Sequence, residues 1–185
     1  MKRELDEILS RKYTHVDEVR LQLEQLSQNY PTCHVVWIEW SRLELEQGNM
    51  KECRRVLLQG LHYIPGNETL LEKRVKIEER LRNCDGVLEC ARQFMATNGT
   101  RCMKSIVEAA IVVAKLGYGY RASDLFQNLL QRTMFTQGSV TLDYIRFVFK
   151  TEDYQKGLSL LKNTLTKLTK HGPIWFFTFS VLEQD

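Results

Sequence analysis

The chain has 185 residues, a size for one domain or one compact repeat array. Its hydrophobic share of 43% and charged share of 26% are ordinary for a globular protein, and apolar residues recur along the whole length, which excludes a disordered chain. Three prolines and ten glycines are too few for a turn-rich all-β protein, and a formal net charge of +3 permits nucleic acid as a partner without arguing for it.

The first residues, MKRELDEILSRKYTHVDEV, are charged and contain no apolar core of a signal peptide. No apolar run approaches the roughly 20 residues that cross a bilayer. The expected setting is therefore intracellular, with no membrane partner. Cysteines stand at 33, 53, 84, 90 and 102, without a CxxC pair. An odd count in this setting predicts buried thiols rather than disulfides. Cys84, Cys90, Cys102 and His62 match no zinc spacing, so no metal and no cofactor are expected. The sequons at Asn67 and Asn98 are read as chance matches.

Taken in chain order, the periodicity is helical throughout. Leu5, Ile8 and Leu9 predict a short first helix. Val19, Leu23 and Leu26 predict a second over Asp17 to Asn29, ended before Pro31. Val36, Trp37, Trp40, Leu43 and Glu44 mark a third from Cys33 to Gln47, stopped by Gly48-Asn49. A fourth runs from Met50 to Tyr63 with Cys53, Val56, Leu57 and Leu61 inward, and Pro65-Gly66 ends it. Leu71, Val75, Ile77 or Glu78, and then Leu81 predict a helix over Glu68 to Arg82, broken by Asn83-Cys84-Asp85-Gly86. Its partner spans Val87 to Ala96, and Asn98-Gly99 closes the turn. Cys102 to Leu116 and Tyr120 to Arg132 form the next pair around Gly117-Tyr118-Gly119. Val140 to Lys150 and Tyr154 to Lys170 follow, the latter striped by Leu158, Leu161, Leu165 and Leu168. Gly172-Pro173 opens a last helix, with proline in the first turn, where its missing donor is not needed.

Short connections between successive helices make antiparallel neighbours. Pairs begin 34 to 37 residues apart, near Cys33, Asn67, Cys102 and Gly138, which is the mark of a helical repeat array. One pair cannot bury its apolar face alone, so pairs stack and share a core. The expected fold class is all-α: a right-handed α-solenoid of 10 or 11 helices in a single array. Its units are 1–31, 32–66, 67–99, 100–137, 138–171 and an incomplete 172–185.

The segment from Val36 to Pro65 is the most specific. Trp37, Trp40 and Glu44 lie on one helical stripe, Gly48 marks the turn, Cys53-Arg54 opens the second helix and Pro65 closes the unit. This segment resembles the HAT (half-a-TPR) repeat, a relative of the tetratricopeptide repeat. Gln59 and Gly60 depart from it, standing where the family pattern carries arginine and alanine. A second copy is read at the C-terminus, with Phe176, Phe179 and Glu183 at the same spacing. The Glu68–Ala96 unit keeps Leu71, Arg74 and Glu78. The Cys102–Arg132 pair is nearer a plain tetratricopeptide pair. The resemblance implies that the aromatics fill the space between paired helices. It also implies that Glu44 pairs with Arg54 or Arg55 within its own repeat.

No Walker loop, HExxH or GxSxG occurs, and the four histidines are scattered. The expected function is therefore a non-enzymatic protein–protein scaffold. The resemblance implies a role in an RNA-processing assembly (splicing, messenger RNA 3′-end formation or ribosomal RNA maturation), ribonucleoprotein partners and the nucleus. The alternatives are a cytosolic tetratricopeptide adaptor and a direct RNA binder. Lys73, Lys76 and Arg80 share one helical stripe and are the candidates for contact with RNA or an acidic partner. RNA contact is otherwise expected to be indirect. Lys156, Lys162, Lys167 and Lys170 form a second basic face. Trp175 and Phe177 in the last helix are candidates for a partner surface, either a second copy of the chain or further repeats.

Overall fold

The computed structural model describes residues 2–97, 102–132, 137–151 and 154–182. Among the described residues the structure is all-helical, with eleven helices. Contacts divide the chain into two compact units, residues 1–97 and 98–185.

The first unit contains α1 (Lys2–Ser10), α2 (Val16–Asn29), α3 (His34–Glu46), α4 (Met50–Tyr63), α5 (Glu68–Arg80) and α6 (Cys84–Thr97). Each helix packs on its neighbour in sequence, and α3 also touches α5. The core is made of the residues at helical spacing: Val19, Leu23 and Leu26 from α2; Val36, Trp40 and Leu43 from α3; Val56 and Leu57 from α4.

The two helices of a pair are joined by one repeated stop. Asn49 N–H donates to Glu44 O at 2.9 Å and Gly48 N–H to Leu45 O at 3.1 Å. These are the two bonds of a Schellman motif, and Gly48 takes the left-handed conformation that it needs, with φ of 77°. The motif recurs one period later, with Asn83 N–H on Glu78 O at 2.9 Å and Arg82 N–H on Glu79 O at 3.0 Å. The left-handed position is here Arg82, with φ of 54°. This corrects the expected break over residues 83–86. The stop lies at Leu81 to Asn83, and Gly86 falls inside the first turn of α6. Arginine carries no glycine-like signal, so the sequence pattern pointed to the next glycine instead.

The second unit contains α7 (Met103–Lys115), α8 (Gly119–Arg132), α9 (Gly138–Thr151), α10 (Tyr154–Lys167) and α11 (Gly172–Leu182). The same stop closes α7: Tyr118 N–H donates to Val113 O at 3.2 Å, and Gly117 has φ of 96°. Phe126, Tyr144 and Phe147 form a ring cluster with centroids 5.3 to 6.4 Å apart. The Tyr144 hydroxyl is satisfied by Ser123 Oγ at 3.1 Å and by Gln127 Nε2, which donates at 3.2 Å. Leu142, Ile145, Leu161 and Ile174 form a core beyond it, against which Phe149, Leu165 and Phe177 pack. α10 stops at Lys167, three residues before the expected end. The expected turn at Asn98-Gly99 lies outside the described residues.

Candidate functional site

The motif residues of the first unit converge on two buried carboxylates. Glu44, on α3, is 0% exposed. Arg20 of α2 reaches it across the repeat boundary, donating from Nε to Oε1 at 2.6 Å and from Nη2 to Oε2 at 3.2 Å. Trp40 Nε1 donates to Oε1 at 3.3 Å, and Asn49 Nδ2 donates to Oε2 at 3.1 Å. Both oxygens are thus served by charged and neutral donors from three places in the chain. Burial pushes the carboxyl pKa up, but the Arg20, Asn49 and Trp40 donors outweigh it and hold the pKa below the usual glutamate value.

One period later the same clamp is rebuilt. Glu78, on α5, is also 0% exposed. Arg54 of α4 donates from Nε to Oε1 at 2.8 Å, Arg74 donates to the same oxygen at 3.3 Å, and Asn83 Nδ2 donates to Oε2 at 2.7 Å. Arg20 with Arg54, Glu44 with Glu78, and Asn49 with Asn83 are matching pairs; in both clamps arginine and glutamate are 24 residues apart. Arg74 stands where the earlier repeat has Trp40, so a guanidinium replaces an indole as the donor one turn before the carboxylate.

The expected pairing of Glu44 with Arg54 or Arg55 is therefore corrected. Arg54 belongs to the next carboxylate, Glu78. Arg55 pairs with Glu52 on its own helix and lies 5.5 Å over the Trp40 ring. The physical reason is direction. The second helix of each pair faces the first helix of the following pair, and that interface has a buried acid to satisfy. The clamp stitches successive repeats instead of closing one.

The two tryptophans fill the space inside the pair. Trp37 stacks on Trp40 at 6.0 Å and on Tyr63 at 5.8 Å, and its Nε1 donates to Pro31 O at 2.9 Å. Gly60 explains the departure from the family's alanine: a Cβ there would sit 2.8 Å from Trp37 Cγ. One period on, the two positions hold Leu71 and Phe94, both fully buried. Large-with-small in one repeat becomes small-with-large in the next, which conserves volume. Gly86 is equally constrained, since a Cβ would lie 2.6 Å from Glu78 Oε2. Pro65 is exposed in the turn between α4 and α5.

The C-terminal copy is placed differently from the expectation. Phe176 and Phe179 are 76% and 60% exposed. Trp175 Nε1 donates to Thr169 O at 2.8 Å, six residues back, as Trp37 does to Pro31. Trp175 and Trp37 are each the fourth residue of their helix. By structure Trp175, not Phe176, matches Trp37, so the copy is one residue out of register. Glu183 lies outside the described residues. Phe177 turns inward, 5.7 Å from the Phe149 ring, with Arg146 over its face at 5.6 Å.

Lys73, Lys76 and Arg80 line one side of a groove of about 120 Å³ between α3 and α5, with Arg42 opposite and Leu45, Leu57 and Ile77 beneath. Cys53 closes its floor, and burial raises that thiol's pKa to about 11. Burial likewise pushes Cys90 to about 12.

These geometries accompany a clear relationship. The PRP6 TPR-like domain model matches residues 4–185. The chain belongs to the PRP6 TPR-like family. It is similar to a TPR-containing protein of Dictyostelium discoideum, 22% identical over 176 residues, which is 95% of this chain and 13% of that protein. It is also similar to the pre-mRNA-splicing factor CLF1 of Yarrowia lipolytica, 24% identical over 141 residues, 76% of this chain and 21% of that protein. The chain thus spans about a fifth or less of the length of these relatives. Among solved structures, a tetratricopeptide repeat protein from Parabacteroides merdae superposes with a TM-score of 0.56 at 13% identity, covering 94% of this chain and 70% of that one. That likeness shows the fold, a tetratricopeptide-like stack of helix pairs of the α-solenoid class.

Proposed function

We propose that the chain is a non-enzymatic protein–protein scaffold of an RNA-processing assembly, acting in splicing and in the nucleus. The observation that carries this reading is the family match over residues 4–185, joined to the similarity to a pre-mRNA-splicing factor. The chemistry of the motif agrees with it. Trp37, Trp40, Glu44, Arg54 and Glu78 spend polar atoms on the contacts that hold successive helices together. Stacked repeats present extended surfaces to partner segments.

Affinity purification of the tagged chain from nuclear extract, followed by identification of partners, tests the reading. Splicing ribonucleoprotein components that survive nuclease treatment are the expected result. Recovery of cytosolic partners alone would replace it with a cytosolic adaptor. Recovery that vanishes with nuclease would replace it with direct RNA binding, whose affinity falls steeply with salt.

A further inference from the structure

Comparison of equivalent positions in successive repeats separates what the stack needs from what it does not. Glu39, Arg42 and Glu46 of α3 occupy the positions taken one period later by Lys73, Lys76 and Arg80 of α5. In α3 the charges cancel: Arg42 lies 3.8 Å from Glu39 and 3.2 Å from Glu46, and Glu46 also takes Lys12 at 3.2 Å. In α5 all three are cations, and none has an ion-pair partner among the described residues. Lys76 and Arg80 are exposed and Lys73 is half-buried.

These cations border the groove between α3 and α5, whose floor is apolar: Leu45 and Leu57, with Ile77 beside them. Its volume of about 120 Å³ suits one aliphatic side chain, given that an engineered cavity of about 150 Å³ holds benzene. A positive rim round an apolar slot selects for negative charge flanking one apolar anchor.

We infer that the α3–α5 groove docks an acidic peptide segment, which inserts one leucine-sized side chain between Leu45 and Leu57 while its carboxylates meet Lys73, Lys76 and Arg80. The occupant is a protein segment and not RNA. Single-strand binding uses aromatic platforms on which bases stack, and no aromatic side chain lines this groove. The inference rests on the scaffold reading above and names the chemistry of one of its partners.

A random peptide display library panned against the full chain tests it, with the best sequence then measured by fluorescence anisotropy. Enriched peptides should carry Asp or Glu on both sides of one Leu, Ile or Met. Affinity should fall about tenfold or more in K73E/K76E, fall less in K73S/K76S, weaken with salt, and drop when the anchor is changed to Ser. Both variants alter exposed or half-exposed side chains, and unchanged helical signal and melting temperature confirm that they fold. No enrichment, or enriched peptides without acidic residues, would overturn the inference. An affinity untouched by K73E/K76E would overturn it while leaving a scaffold that binds elsewhere. Competition by oligouridine that is itself lost in K73E/K76E would also overturn it, in favour of nucleic acid. Failure of the scaffold reading shows separately, in the partners that co-purify.

Discussion

Among the described residues, Arg20→Ala removes the only full charge that contacts the Glu44 carboxylate. Two bonds disappear, at 2.6 and 3.2 Å, and the acid keeps only the neutral donors Trp40 and Asn49. Hydrogen bonds to charged groups contribute about 1.5–3 kcal/mol, and stranding a buried ion costs about 3–5 kcal/mol. Arg20 is 31% exposed, so solvent screens part of the pair, and the expected loss is about 2–3 kcal/mol. Arg54→Ala should cost less, about 1–2 kcal/mol, because Glu78 retains the Arg74 guanidinium and the 2.7 Å bond from Asn83. Urea titration of both variants and of Glu44→Gln supplies the numbers, and the Arg20→Ala/Glu44→Gln cycle isolates the pair, with an expected coupling of about 1–2 kcal/mol. Acid provides a second readout. The folded carboxyl of Glu44 is held below its unfolded pKa, so its contribution is complete above the ordinary glutamate range and is lost as pH falls through the folded value. Stability should fall less steeply below about pH 4 in Glu44→Gln than in the parent chain. A loss under about 0.5 kcal/mol for Arg20→Ala, or strictly additive single variants, would refute the clamp between repeats.

Gly60→Ala should destabilise by about 1–3 kcal/mol through its contact with Trp37, and Trp37→Leu in the same chain should recover part of the loss, as read by denaturant midpoints. Arg82→Gly should stabilise by about 0.5–1 kcal/mol, because a non-glycine residue at φ of 54° carries strain that glycine lacks; a lowered midpoint would count against that account. Cys53 and Cys90, with thiol pKa values raised to about 11 and about 12, hold almost no thiolate near neutral pH. Their labelling by an aromatic disulfide reagent should track unfolding, and rapid reaction in the folded chain would contradict their burial.

Helical period, pairing and the Trp37-Trp40-Glu44 stripe are legible in the residues because each is local, set by spacings of three and four or by a glycine stop. The partner of Glu44 is not local. Spacing inside one repeat offers Arg54 and Arg55, while the true donor, Arg20, sits in the preceding pair. The signal that could have found it is the matched set Arg20/Arg54, Glu44/Glu78 and Asn49/Asn83, each separated by one period. The C-terminal register failed for a different reason. Trp175, Phe176 and Phe177 are consecutive, so an aromatic spacing rule fits more than one frame, and the indole bond to Thr169 O together with the position in the helix chooses between them. Arg82 hid its turn because the left-handed position is normally marked by glycine.

The two clamps of the first unit repeat one period apart because each solves the same physical problem: a buried acid at a repeat interface. Positions under that constraint carry little information about what the chain recognises, since they are committed to the contact between repeats. Recognition has to be written where equivalent positions differ without cost to the stack. Glu39, Arg42 and Glu46 become Lys73, Lys76 and Arg80 while the neighbouring Glu44 becomes Glu78 unchanged. The exchange alters no buried contact of the clamp, yet it turns a helix face of paired charges, balanced with the help of Lys12, into a positive one beside an apolar slot. Interior exchanges such as Trp37 with Gly60 for Leu71 with Phe94 compensate one another in volume, whereas the exchange at the groove changes charge and has no such packing partner. The groove, and not the aromatic motif that identifies the repeat, is therefore where the proposed acidic segment is to be sought in the first unit.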